Sequence, residues 1–554
     1  MLGVAGWLAW SWPQRVDMAA YVPADCLGFI EVNDLVELAD GISNSEAWTK
    51  LAAPLGAKSS LLPNRWLIRL ARWTGIGSSD AVVLARSQFA FVFTDIQKSE
   101  AGPTLNVKPV ASLIIETHTM QRRMRPAIER HIEEFARSHG LTSLARKQIE
   151  GADLADWSSP DGARHIITTF VRTTAIIGND ESSVLKCIGV QNGKTASLSG
   201  GQELSQMRQQ LNASGAPLFG YITKSGVKPV LTAWALDRFR SSPNVTTFAP
   251  IFSNILANVI DGLGWTSRFT DGGSEDRCFL SLSAGVADKL RADTVPETRA
   301  SEDEMSFVPT NASSVSVYHF RDADGVWRNL NAVLASHADV LGAVAARQAL
   351  RSLFPPYGIN DPDTFVRSVG TRLETIRLED NAPSVLVADA FDRPGLRKST
   401  QEAIGSAVKS ENFGDAEIFL STSNAWAESF VGNRFLIGPA EQLRTCLQPS
   451  TQGQSLSSID AFKRAQKLVD VSMPIIVLTF ADDRRSAISF VELFAQSERP
   501  AFSANASAID SASRSLPYGV SVTMLKQDGF EWSSRSSFGL LGSIAIRFAP
   551  GNAK

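Results

Sequence analysis

The chain is poor in the residues that make ready-made chemistry, with four cysteines and six histidines among 554 residues. Cys26, Cys187, Cys278 and Cys446 show no CxxC spacing, so neither a paired-cysteine metal site nor a disulfide-stapled scaffold is written into the sequence. Four cysteines allow three pairings, and buried free thiols acting as small hydrophobes are the simpler expectation. An excess of positive charge is also missing: 54 Lys+Arg stand against 57 Asp+Glu, a net charge of −3. That balance offers no footprint for a polyanion and argues against nucleic acid as a partner. Collagen-like and low-complexity compositions are excluded by 39 Gly and 25 Pro in a chain that is 44% hydrophobic. A chain of this length is expected to form several units, each with its own core.

Long apolar runs are lacking too. The longest candidate is Met1 to Trp12, MLGVAGWLAWSW, closed by Pro13. At about 1.5 Å per helical residue it reaches roughly 18 Å, short of the ~30 Å hydrocarbon core. Its length suits the apolar region of an export signal, and Trp7, Trp10 and Trp12 suit a membrane interface, although no basic residue precedes them. Residues 1–17 are therefore read as a signal or anchor segment whose start lies upstream; no small-x-small cleavage site follows, which favours an uncleaved tether. A buried N-terminal helix in a cytoplasmic protein is the alternative.

What the sequence does contain is an internal echo. Val22-Pro23 before LGFIEV returns as Val308-Pro309 before SSVSVYHF, an offset of 286. Gly75-Ile76 returns as Gly358-Ile359 at 283, Leu113 to Glu116 as Leu386 to Asp389 at 273, and Pro126 as Pro394 at 268. Gly178 in TTAIIGNDESSVLKC returns as Gly438 in GNRFLIGPAEQLRTC at 260, and Asp271-Gly272 as Asp528-Gly529 at 257. Six landmarks in one order, with steadily falling offsets, predict a tandem duplication: module one over 18–287, a charged linker over 288–305 and module two over 306–550.

Within module one, VASLIIETH reads as a buried strand, followed by a helix with Met124, Ala127, Ile128, His131, Ile132, Phe135 and Ala136 at helical spacing. Pro126 near its first turn and Gly140 past its end mark the boundaries. Two extended segments follow at about 145–157 and 164–177, then helices at 180–187 and 202–212 and the strand LFGYITK. This β-α-β-β-α-β order predicts a split βαβ, ferredoxin-like core in an α+β fold: an antiparallel or mixed sheet with helices on one face. Module two repeats it with PSVLVADAF, the helix after Pro394, strands at 414–438, a helix at 440–447 and PIIVLTF. A further helix at 485–496 and a C-terminal hairpin turning at Asp528-Gly529 complete the expectation. One face of that hairpin is polar and should be solvated or meet a partner.

The Val22-Pro23-Ala24-Asp25 opening, the Asn33-Asp34-Leu35-Val36-Glu37-Leu38 helix start, the Gly-Ile turn, the acid-ended strand and the Ile177-Gly178 strand together resemble a bacterial family of envelope-associated proteins of unknown function. The resemblance covers roughly residues 20–540. It implies an N-terminal signal or anchor and an envelope location, and it brings no catalytic residue.

Searched motif by motif, the sequence yields no complete catalytic motif. Gly189 to Thr195 has three residues between its glycines where a phosphate loop needs four, and it follows a helix instead of a strand. Asp322-Ala323-Asp324-Gly325 has half a calcium loop, but position twelve is Val333, so it reads as a turn or helix cap. His131 and Glu134 share a helix face without a completing ligand set. The adjacent acids Glu133-Glu134 and Asp482-Asp483 point apart on a helix, and no Gly-x-Ser-x-Gly elbow occurs. In NRWLIRLARWTG, Trp66, Leu70 and Trp73 oppose Arg65, Arg69 and Arg72. That segment either lies on a membrane surface or buries its Trp face in module one, and its small apolar area favours burial. Trp7, Trp10, Trp12, Trp66 and Trp73 are thus the candidate membrane-interface residues; no cofactor or metal ligand is assigned. The expectation is a scaffold or binding surface of the envelope, facing the periplasm and tethered to the inner membrane, with an envelope protein or apolar ligand as partner. A carrier of an apolar ligand and a hydrolase with a dispersed site are the alternatives.

Overall fold

The computed structural model describes residues 15–56, 83, 85–99, 106–119, 121–238, 245–270, 272–296, 305–380, 382–405, 408–414, 416–423, 425–452, 454–470, 473–496 and 506–547. These fall into two compact units: the described residues within Met1–Pro243, Asp261–Asp271 and Phe494–Phe502, and those within Asn244–Ile260, Gly272–Leu493 and Ser503–Lys554. Both are α+β with antiparallel sheets.

In the first unit the strands are β1 (Gly28–Val32), β2 (Gln88–Ser99), β3 (Asn106–Glu116), β4 (Ser143–Ile149), β5 (Ala152–Ser158), β6 (His165–Val171), β7 (Thr174–Gly178), β8 (Leu218–Ile222) and β9 (Ile260–Thr270). Their spatial order is β9-β8-β1-β2-β3-β7-β6-β5-β4, every pairing antiparallel. Three expectations change here. The segments 145–157 and 164–177 are not single strands but two hairpins, because Glu150 (φ 52°) and Gly151 (φ 81°) adopt the left-handed conformation that a two-residue turn requires, and Arg172 (φ 56°) opens the second turn. β8 pairs with β1 and β9 and not with β3, so the strand order departs from the split βαβ drawn from the sequence. Helices also cover both faces. Helix Gln121–Ser138 packs Ile128, Ile132 and Ala136 against Ala155, Trp157 and Phe170. Helix Glu181–Gln191 lies on the opposite face, where Ser183 Oγ and Ser112 Oγ are 2.7 Å apart. Side chains alternate along β3, so Ser112 and Ile114 face one helix and Leu113 and Ile115 the other. Pro126 lies in the second turn of its helix, which begins at Gln121.

The second unit contains β10 (Gly273–Leu282), β11 (Ser314–His319), β12 (Val369–Arg377), β13 (Val385–Ala390), β14 (Lys409–Phe413), β15 (Ala416–Leu420), β16 (Trp426–Val431), β17 (Arg434–Pro439), β18 (Val477–Ala481), β19 (Gly519–Lys526) and β20 (Gly529–Ser536). They run β10-β20-β19-β18-β11-β12-β13-β17-β16-β15-β14, again wholly antiparallel. On one face, Val315, Val317, Ile376, Val387 and Leu436 form a core with Leu443, Cys446 and Leu447 of helix Ala440–Gln452. On the other, helix Arg393–Ile404 lays Thr400 on Glu428, with the hydroxyl donating at 2.6 Å, and Arg397 over the Phe419 ring at 4.1 Å. The hairpin at Asp528-Gly529 forms as its turn residues predict, and β10 pairs along the outer edge of β20. The first part of the charged stretch is helical, the helix Val286–Thr294 running into it from residue 286.

Candidate functional site

The end of the first unit's sheet gathers polar residues from four segments. Asp34 caps helix Leu35–Asn44 by accepting from Glu37 N at 2.8 Å, and its second oxygen holds Arg15. Gln88 straps the N-terminal segment to the sheet: its amide oxygen accepts from Val16 N (2.8 Å), while Nε2 donates to Val16 O (2.9 Å) and Asn33 Oδ1 (3.0 Å). Behind them Glu116 is buried at the end of β3, accepting from His118 N (2.7 Å) and from the hydroxyls of Thr173 (3.0 Å) and Thr174 (3.1 Å). His118 sits in the left-handed region at φ 51°, a conformation that non-glycine residues adopt at a cost. Burial lowers its pKa, opposed by the Glu116 charge. The same carboxylate and burial push the Tyr21 phenol up to about 12, burial contributing most.

Two concavities meet at Asp34. One is a recess of about 10 Å³ lined by Arg15, Asn33, Asp34, Arg86, Gln88 and His118, space for about one water. The other is an open groove of about 470 Å³ lined by Asp34, Glu37, Asp40, Asn44, Phe269 and Thr270 among others. Asp34, Glu37 and Asp40 share one helix face, and burial followed by the Asp34 charge raises the pKa of Asp40. The recess is too small for a substrate, and Glu116 bonds the Tyr21 hydroxyl of the N-terminal segment. The groove presents a carboxylate-lined polar surface.

The second unit carries its own buried charge cluster. Glu374, 1% exposed, meets Arg372 at 2.5 Å and Arg434 at 3.5 Å, and Arg434 reaches Asp389 at 2.7 Å. Each ion is compensated within the fold, as buried charges must be.

The residues singled out by sequence have mixed fates. Trp7, Trp10, Trp12, Trp66 and Trp73 lie outside the described residues. The stretch after Gly189 continues its helix to Gln191, turns through Gly193 (φ 71°) and pairs Lys194 with Glu150 at 3.0 Å, a polar turn. Asp322 caps helix Ala323–Ser336 through Asp324 N. His131 lies 3.6 Å from Glu134. Among the described residues no group of three His, Cys, Asp or Glu side chains could hold a metal, and no helix is long and apolar enough to cross a membrane. All four cysteines are free thiols. Gln88 and Arg208 escaped the sequence reading because their partners lie far away along the chain; His118 meets Glu116 two residues before it, and the acidic end of β3 was the one visible signal.

No protein-family model matches the chain, nor does any curated protein or solved structure.

Proposed function

We propose that this chain is a non-catalytic scaffold or binding protein of the cell envelope, built from two copies of one α+β module and tethered through its N-terminus. The observation that carries the reading is a recurrence of cross-strand register. Val32 faces Phe89 in the first unit as Tyr318 faces Leu373 in the second, and Leu113 faces Ile177 as Leu386 faces Ile437. Ile149 faces Ala152 as Phe413 faces Ala416, and Leu218 faces Ser267 as Val477 faces Thr523. The offsets for β3 and β7, 273 and 260, equal those of the sequence landmarks. A small motif recurs with them: Pro23 bridges Ser197 and Val22 O accepts from Leu198 N, while Pro309 bridges Ser455 and Val308 O accepts from Leu456 N, both bonds 2.8 Å.

Duplicated sheets whose buried ion pairs, such as Glu31 with Arg208 and Glu374 with Arg372, close within the fold suit shape and surface more than turnover. The open groove with its carboxylates suits a polar or cationic partner surface. The apolar run at the N-terminus supports the tether and the envelope location. Cell fractionation with carbonate extraction tests the location: recovery in the membrane fraction, resistant to carbonate, is expected, and a fully soluble cytosolic protein would refute it. Proximity labelling in intact cells tests the role, with envelope proteins as the expected neighbours and a purely cytosolic set counting against it.

A further inference from the structure

The C-terminal helix Gly539–Arg547 is approached through Ser536 to Phe538, and a buried carboxyl stands beside that approach. Asp483 occupies the position before helix Arg484–Gln496, where its backbone oxygen accepts from Ala487 N at 2.9 Å. Its side chain turns away from that helix: Oδ2 accepts from Ser537 N at 2.7 Å, and Oδ1 is sealed from solvent with no hydrogen-bond partner. A carboxylate has room for about four donors. Ionised in this place, Asp483 has a poor share of them and a stranded oxygen.

The charged and titratable neighbours do not repair this. From its own segment, Arg484 is already committed to Asp482, and its guanidinium lies 5.5 Å from the Tyr518 ring centre. Tyr518 approaches from the start of β19 with its hydroxyl buried and unpartnered. From β10, Asp276 is engaged with Leu540 N at 2.9 Å. The segment itself packs through Phe538, whose ring centre is 4.2 Å from that of Phe490.

We propose that Asp483 is a proton-operated latch on residues 537–547: the neutral acid keeps its hold on Ser537 without a buried charge, and the ionised form regains water only when the segment lifts away. Burial carries this carboxyl up to about 6, the Ser537 donors pulling it down and the Asp482 charge pushing it up. A carboxyl raised in the folded state stabilises docking fully below its ordinary range, near pH 4, and that stability is lost as pH rises through about 6. Each unit of separation is worth tenfold, so docking should weaken about a hundredfold across this window.

Hydrogen exchange of the full chain, corrected for intrinsic rates, tests the latch between pH 3 and 8. Protection of 539–547 should fall about a hundredfold, chiefly between pH 4 and 6, and level off above that, and Asp483→Asn should hold it flat. A flat profile in the native chain, or the same slope in the variant, would overturn the proposal. Should Asp483→Asn fail to fold, the carboxyl carbon shift of Asp483 in the native chain decides: a midpoint near 6 supports the latch, and one near 4 removes it.

Discussion

Arg208 is the residue whose loss should do most damage to the first unit. Its guanidinium lies 3.1 and 3.2 Å from the two oxygens of Glu31 and 2.9 Å from Asp17, and it stacks 5.4 Å from the centre of the Phe219 ring. Glu31 sits in β1 between β2 and β8 and is 4% exposed. Burial raises its pKa even with Arg208 pulling down, so desolvation already exceeds what the pair returns. Arg208→Met removes the compensation and leaves the charge. Stranding one member of a buried pair costs about 3–5 kcal/mol. At about 1.4 kcal/mol per tenfold, protection of the β1 amides should drop by a factor of between roughly a hundred and a few thousand. Hydrogen exchange on β1 reads this locally. The sign with pH also follows: in the variant the folded-state pKa of Glu31 rises further, so the deficit should shrink as pH falls and grow as pH rises through the raised value. Adding Glu31→Gln should recover much of the loss, since an amide strands no charge. Loss below tenfold, or a double variant no better than the single, would refute the argument.

Two further expectations concern packing and thiols. Gly178 and Gly438 each end a strand beneath a helix or neighbouring strand, where an added Cβ would stand 2.5 Å from Val184 Cγ2 in one case and 2.9 Å from Val385 Cγ2 in the other. Gly178→Ala and Gly438→Ala should each destabilise by about 1–3 kcal/mol in urea unfolding, and a neutral result at either would contradict the packing described. The thiols of Cys26, Cys187 and Cys446 are buried and pushed up to about 12, chiefly by burial, so little thiolate exists at pH 8. Iodoacetamide should leave all three untouched until the chain is denatured; rapid native labelling seen by mass spectrometry would count against these positions.

Much of the local structure was legible because the relevant signals are local. The apolar spacing from Met124 to Ala136, the cap at Asp322 and the Asp528-Gly529 turn each act within a few residues, and each produced the element expected. β2 was missed for a physical reason: Phe89, Phe91 and Phe93 stand on its more open face and Ala90 and Val92 on its buried face, so both faces are apolar and the run shows no period of two. The hairpin between β6 and β7 was hidden because its left-handed position is filled by Arg172 where glycine would have announced it. The choice of sheet face for each helix depends on strand register, which no short window contains.

The adjacent pair Asp482-Asp483 marks where sequence reasoning stops. The pair precedes helix Arg484–Gln496 instead of lying on it, so helical spacing does not apply, and adjacency says nothing about which partner each finds. Asp482 finds Arg484 two residues on, a contact a local pattern could suggest. Asp483 finds Ser537, 54 residues away, after the chain has run through β19 and β20. One carboxylate is therefore an ordinary ion pair, and its neighbour is a buried acid held by Ser537. The same holds for Glu31 and Arg208, 177 residues apart. Residues whose protonation can matter in this chain are those whose environment is assembled late in the sequence, so their chemistry becomes visible only once the sheets have closed around them.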